Sequence, residues 1–161
     1  MISLVRVDNR LIHGQVVEAW LPYLKVARVV VADDEAAKSD LIRAAMGLAV
    51  QAAVEVKIQP VAEVDFAALG ADAVKTLVLV RDVASLLQAR ERGLTAARVN
   101  LGNVHHQEGR RAVTPSVFLS QAELSGLKML SESGVEVEAR AVPNERAVGL
   151  PEMQERFGKG A

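Results

Sequence analysis

The sequence predicts an α/β fold, an open and mostly parallel sheet of about six to seven strands with helices on both faces. The first observation behind this is that short β-branched runs alternate with longer segments of helical period along the chain. The second is compositional: 50% of the 161 residues are apolar but only 3% are aromatic, so the core has to come from Val, Leu, Ile and Ala. A chain of this length buries roughly 70% of its unfolded surface on folding, which suits one domain over residues 1–161.

Taken in order, strands are expected at residues 2–7, 27–32, 54–59, 76–80, 98–101, 117–119 and 135–141. The first helix is expected to start near Gly14 and to stop around Pro22, whose ring cannot continue the hydrogen-bond ladder; Val16, Val17, Trp20 and Leu21 would share its buried face. A second helix follows Ser39, with Leu41, Ile42, Ala45, Leu48 and Ala49 at helical spacing and Gly47 weakening it. Asp82 caps a helix bearing Leu86 and Leu87, and Gly93 is placed as its left-handed terminator. Ser120 and Glu123 have capping-box spacing, with Gly134 where that helix should end. A final helical segment over 144–157 is interrupted by Gly149 and Pro151.

Composition also excludes functions. Nineteen Lys and Arg against twenty Asp and Glu leave a net charge of -1, too balanced for a surface that neutralises many phosphates, so nucleic acid is not the expected partner. With no cysteine there is no thiolate nucleophile, disulfide framework or Cys-ligated metal. Arg6, Asp8 and Arg10 interrupt the apolar stretch that a secretion signal needs, and no apolar run approaches the roughly 18 residues of a membrane span. The expected location is the cytoplasm. Neither a dinucleotide-binding nor a P-loop glycine pattern is present, nor the G-x-S-x-G of a hydrolase elbow.

In an open parallel sheet, ligands bind outside the carboxyl ends of the strands. Asp8, Asn9, Arg10 and His13 follow the first strand, Asp33 and Asp34 the second, Arg81 and Asp82 the fourth, and Asn103, His105 and His106 the fifth, so all three histidines fall on that rim. Asp33 and Asp34 have the types for Mg²⁺ but suit a turn and helix cap better. His105 and His106 are adjacent, so their side chains diverge and no metal site is expected from them; they form an exposed loop or a second wall for an anion.

The loop from Asp8 to Gly14 places an acid, a guanidinium and an imidazole between a strand and a helix. Arg10 can grip two phosphoryl oxygens with its planar fork. The amides of Gly14, Gln15 and Val16 add donors at the positive end of the helix dipole. His13 would be the nucleophile, its neutral form favoured by the adjacent positive charge, and Asp8 would hold one ring nitrogen as N–H and so choose which nitrogen reacts. On spacing alone, a histidine after a strand is equally a loop residue bonded to backbone, Arg10 a surface ion-pair residue and Asp8 a cap.

The run from Val5 to Val16, VRVDNRLIHGQV, resembles the active-site segment of enzyme IIB components in the mannose/fructose/sorbose class of the bacterial phosphotransferase system. The similarity extends through Val30 to Glu35, Val99 to His105, Val117 to Leu119, Gly134 to Val137, and Val142 with Pro143, covering essentially the whole chain. The resemblance implies a phosphocarrier. Its histidine, His13 here, takes a phosphoryl group on Nδ1 from phosphorylated enzyme IIA and gives it to a sugar entering through membrane components IIC and IID, with the protein only peripheral to the membrane. Arg10 matches the arginine that stabilises the transferring group, and Asp8 a loop acid near the donor interface. No metal or organic cofactor is implied. The sequence departs at Asn9, where aspartate or serine is common, and at Asn103, where a second glycine is common; Asn tolerates left-handed backbone, so the loop there is expected to keep its shape.

Two other readings remain open on the sequence: a regulatory phosphoprotein with no sugar acceptor, and a small-ligand binding module in which His13 is structural. Oligomeric state is not legible.

Overall fold

The computed structural model describes residues 1–160. Along the chain run β1 (Ile2–Asp8), a π-helical segment (Val16–Trp20) continuing into α1 (Leu21–Leu24), β2 (Arg28–Ala32), α2 (Asp34–Lys38), α3 (Asp40–Ala49) and β3 (Glu55–Gln59). They are followed by α4 (Phe66–Ala71), β4 (Thr76–Val80), α5 (Val83–Glu91), β5 (Arg98–Asn103), β6 (Arg111–Thr114) and β7 (Val117–Leu119). The chain closes with α6 (Gln121–Glu132), β8 (Glu136–Ala139), β9 (Val148–Gly149) and α7 (Leu150–Lys159). Seven strands form one sheet in the order β3-β2-β4-β1-β5-β8-β9, parallel except for β9, which runs antiparallel to β8. This is the expected class of fold.

Alternation along the central strands builds two apolar layers, since successive side chains of a strand point to opposite faces. Val30, Ala32, Val78, Val80, Val5 and Val7 face a layer completed by Phe66 of α4, Leu86 of α5, Leu127 of α6 and Met153 of α7. Val29, Val31, Leu77, Leu79 and Leu4 face the other layer, which holds Trp20 and Val16 of the first helix and Ala36 of α2. By the same alternation Arg6 and Asp8 point into that second face, and both are fully buried.

Several sequence expectations need correction. Pro22 does not stop the first helix: it follows directly on the π-helical segment, where Leu21 N–H reaches back five residues to the Val16 carbonyl, and the helix runs on to end at Lys25, in left-handed conformation with φ 53°. Residues 117–119 are a strand, but they pair antiparallel with β6 in a separate hairpin and touch the end of β5 only through a single parallel bridge between Val117 and Val104. No strand was expected at β6, because four residues with Arg at one end and Pro115 just beyond carry little signal. Helices α2 and α4, five and six residues long, are equally too short to show a period. In the final segment Gly149 and Pro151 do not interrupt a helix: Val148–Gly149 is a short strand, and Pro151 opens α7.

The caps fall where expected. Asp82 accepts from Ser85 N–H, Ser120 and Glu123 form a reciprocal capping box, and Gly93 and Gly134 are left-handed. Helix α3 lies beside the edge strand β3 with its apolar positions facing solvent: none of its residues is buried, and Leu48 is 87% exposed.

Position in the layer therefore decides the cost of truncation. Leu127→Ala, emptying a fully buried site, is expected to lower stability by about 2–5 kcal/mol in urea denaturation. Leu48→Ala is expected to change it by no more than about 0.5 kcal/mol.

Candidate functional site

Strand β1 is central, and the chain leaves it toward β2 on one side and returns, through β4, to β5 on the other. The carboxyl ends of β1, β4 and β5 thus meet where the strand order reverses, the place at which open α/β sheets form a crevice. The loop after β1 opens there. It turns tightly: Leu11 N–H donates to the Asp8 carbonyl at 2.9 Å, and Arg10 N–H to Asp8 Oδ1 at 3.0 Å. Leu11 is held at φ 57°, a strained left-handed backbone for a branched residue, and its side chain is buried with Ile12 in the second apolar layer. With Leu11 and Ile12 pulled inward, His13 is delivered to the rim, where its side chain is 15% exposed.

Asp8 Oδ2 lies 2.8 Å from His13 Nε2. An ionised carboxylate only accepts, so Nε2 carries the proton, and in the neutral ring it is Nδ1 that keeps its lone pair. The carboxyl is kept ionised against its surroundings. Burial pushes its pKa up, but the His13 hydrogen bond, the Arg6 charge and the Asn103 amide together hold it below the usual range. Asp8 itself has no exposed surface and lies directly behind the His13 ring.

Arg6 is the other half of this buried pair. Its Nε and Nη2 reach Asp8 Oδ2 at 3.2 and 3.0 Å, and its remaining donors go to Asn100 Oδ1, Gln15 Oε1 and the carbonyls of Arg140 and Ala141. Its guanidinium carbon stands 4.9 Å over the Trp20 ring, whose own N–H donates to the Ala141 carbonyl. Burial lowers the Arg6 pKa while Asp8 opposes that, and the group stays a cation. Room for it comes from Gly102, where a Cβ would sit 2.0 Å from Arg6 Cζ.

The other expected site residues divide. Arg10 is exposed, and its guanidinium has no hydrogen bond or ion pair among the described residues. The first backbone bond of the helix runs from Val17 N–H to the His13 carbonyl, so the amides of Gly14, Gln15 and Val16 precede the ladder and head toward the rim. Asp33 is spent on capping Ala36 N–H and on a two-point contact with Arg81, and Asp34 accepts from Val61 N–H; they are structural acids. His105 contacts Gln107, and His106 packs edge-on against Phe118. Asn103 is not left-handed: it ends β5, and its side chain joins the Asp8 cluster.

Sequence reasoning missed Arg6, Asn100, Gly102 and the side chain of Gln15, and it placed Asn103 on the rim without the side-chain role it has. One signal was available: in VRVD the two charges share a face of a strand whose other face is valine, and in a central strand of a parallel sheet, covered on both faces, charges so placed are buried together.

The chain belongs to the family described as PTS system sorbose subfamily IIB component, which matches residues 2–159. Its members are components of phosphotransferase enzymes. Among relatives, the N-acetylgalactosamine-specific phosphotransferase enzyme IIB component 2 of Escherichia coli is 31% identical over 150 residues, spanning 92% of this chain and 96% of that one. The fructose-specific EIIB component of Bacillus subtilis is 25% identical over 89% of this chain and 90% of its own. The solved N-acetylgalactosamine-specific IIB component 1 of E. coli superposes with a TM-score of 0.83 at 27% identity, over 91% of this chain and 97% of that one. The IIBSor domain of the sorbose permease from Klebsiella pneumoniae, at 22% identity over 96% and 97% of the two chains, shares the fold with a TM-score of 0.85. Among the described residues, no helix is long and apolar enough to cross a membrane.

The buried pair sets two expectations. Gly102→Ala drives a methyl into the Arg6 guanidinium and is expected to cost about 3–5 kcal/mol in urea denaturation, the loss seen when a buried ion pair is broken. Because Asp8 titrates below its unfolded value, its contribution is complete above about pH 4 and disappears as pH falls through the folded value. Asp8→Asn should therefore lower stability at pH 7 and flatten the acid limb of the stability–pH curve.

Proposed function

We propose that this IIB component is a phosphocarrier. It accepts a phosphoryl group on Nδ1 of His13 from a phosphohistidine of an enzyme IIA and passes it to a sugar during uptake through membrane components IIC and IID. The observation that carries this reading is the 2.8 Å contact between Asp8 Oδ2 and His13 Nε2, which leaves Nδ1 the only free lone pair of a rim-exposed ring. The relatives named mannose-specific EIIAB components, of which this chain matches 50% of the length, support a IIA partner.

In the first transfer the Nδ1 lone pair forms the new N–P bond as the bond to the donor ring breaks, the donor nitrogen keeping its electron pair. In the second, the Nδ1–P bond breaks toward a sugar hydroxyl oxygen and its electrons return to Nδ1, the hydroxyl proton leaving to a base on the acceptor side. The Nε2 proton stays in place throughout, and the Asp8 carboxylate offsets the positive charge the ring carries while phosphorylated. Arg10 and the amides of Gly14, Gln15 and Val16 supply charge and donors for the equatorial oxygens. No step needs a metal ion or an organic cofactor. A single flexible guanidinium holds the group without trapping it, as a carrier that must give it up requires.

The test is to incubate the protein with phosphoenolpyruvate, enzyme I, the histidine phosphocarrier and a IIA, and to measure intact mass. One acid-labile phosphoryl addition is expected, absent in His13→Ala; Arg10→Ala should slow its formation by about 10²-fold. An addition that persists in His13→Ala overturns the assignment. Adding membranes that carry IIC and IID, with N-acetylgalactosamine, fructose, mannose or sorbose, the sugars for which the relatives are named, then separates transport from a purely regulatory phosphoprotein.

A further inference from the structure

Strands β1 and β5 pair in simple register up to Val7 opposite Leu101, after which Asp8 stands opposite Asn103. Gly102 is the extra residue of this bulge, the same glycine whose missing side chain makes room for the Arg6 guanidinium. The bulge brings Asn103 level with Asp8. Its backbone carbonyl accepts from Asn9 N–H at 2.9 Å, which fixes the main chain on both sides of the pair. Its side-chain amide then donates twice: to Asp8 Oδ2 at 2.8 Å and to Gln15 Oε1 at 3.0 Å. Gln15 Oε1 also accepts from Arg6 Nη2 at 3.0 Å, so carboxylate, guanidinium and two amides close into a ring directly behind His13.

We propose that Asn103 is a positioning residue of the transfer site, acting through Asp8: its amide pins the carboxylate oxygen that holds His13 Nε2–H, and so fixes which ring nitrogen faces the rim. Arg6 approaches that oxygen from the interior, both of its contacts falling on Oδ2. Asn103 adds a donor to the same oxygen from the neighbouring strand, and the Arg10 N–H holds Oδ1. A glycine at this position offers no such donor. The helix is tied in as well, because Gln15 lies in its first turn and shares the Asn103 amide. The inference rests on the phosphocarrier reading only for its effect on rate; its geometric content concerns the free ring.

The test uses the full chain labelled with ¹⁵N-histidine, whose three imidazoles are sorted by comparison with His13→Ala. At alkaline pH, where the ring is neutral, the wild-type His13 is expected to show Nε2 protonated and Nδ1 bare. In Asn103→Gly the two signals should move toward the average of both tautomers, and phosphoryl transfer from IIA should slow by roughly tenfold, the size of losing one hydrogen bond to a charged group. Asn103→Asp keeps the shape but faces Asp8 with a second acid, and should shift the signals further and slow transfer more. Folded variants with wild-type ¹⁵N signals and transfer rates overturn the inference. Should Asn103→Gly fail to fold, Asn103→Ser, which replaces the amide by a shorter donor, is read by the same signals. The tautomer measurement needs no phosphoryl donor, so a wild-type protein that IIA does not phosphorylate defeats the phosphocarrier reading without deciding this one.

Discussion

The site depends on a charge placed where charge is costly. Arg6 and Asp8 lie on one face of the central strand with no exposed surface, and a buried ion pair persists only if its remaining donors and acceptors are also met. That requirement organises what surrounds it. The guanidinium draws in Asn100 from β5, Gln15 from the first helix and two carbonyls from the segment after β8. It demands a glycine at 102, and the bulge at that glycine moves Asn103 beside Asp8. Elements far apart in sequence are thus joined at one cation, and the histidine loop is built on top of them.

This arrangement answers two opposing needs of His13. Its ring must be reachable from outside, yet its orientation must not wander. Exposure alone would leave the imidazole free to rotate and to exchange tautomers. Here the ring edge that carries Nε2 rests on a carboxylate that cannot move, while the strained turn at Leu11 is held by two buried side chains. Rigidity comes from the interior and reactivity from the rim. The free Arg10 guanidinium fits the proposed carrier in the complementary way: a group meant to meet a phosphoryl on arrival and release it on departure gains from having no fixed partner among the described residues.

How much of this the sequence disclosed follows from the range of the interactions. The sheet, its order of strands and helices, and the caps at Asp82 and Ser120 are written in local period and composition, and they read correctly. The short elements do not: β6, β9, α2 and α4 have too few residues to display a period, Pro151 reads as a break because a proline that opens a helix looks the same as one that ends it, and Pro22 is carried by the π-helical segment before it, which has no local signal. At the site, the types and rim placement of Asp8, Arg10 and His13 were legible from one loop. The partners of Asp8 were not, since Asn103 is ninety-five positions away and reaches it only because a bulge shifts the strand by one residue. Arg6 looked like a break in a leader sequence, when its alternation with Val5 and Val7 marked it as a buried cation.

The departure at Asn103 gains its meaning from the same constraint. On sequence its effect is a question of backbone, whether asparagine can replace glycine in a turn. In the fold the backbone there is extended, and the difference is one of hydrogen bonding: a side-chain amide appears where glycine has none, next to the carboxylate that holds His13 Nε2. A strand end so close to a buried acid is a place where a single residue can adjust the chemistry of the ring without touching the phosphoryl group. In the proposed carrier, the charge and amides around the phosphoryl group stay the same while the hold on the Nε2 proton, and with it the readiness of Nδ1 to take and to yield phosphorus, is set from behind.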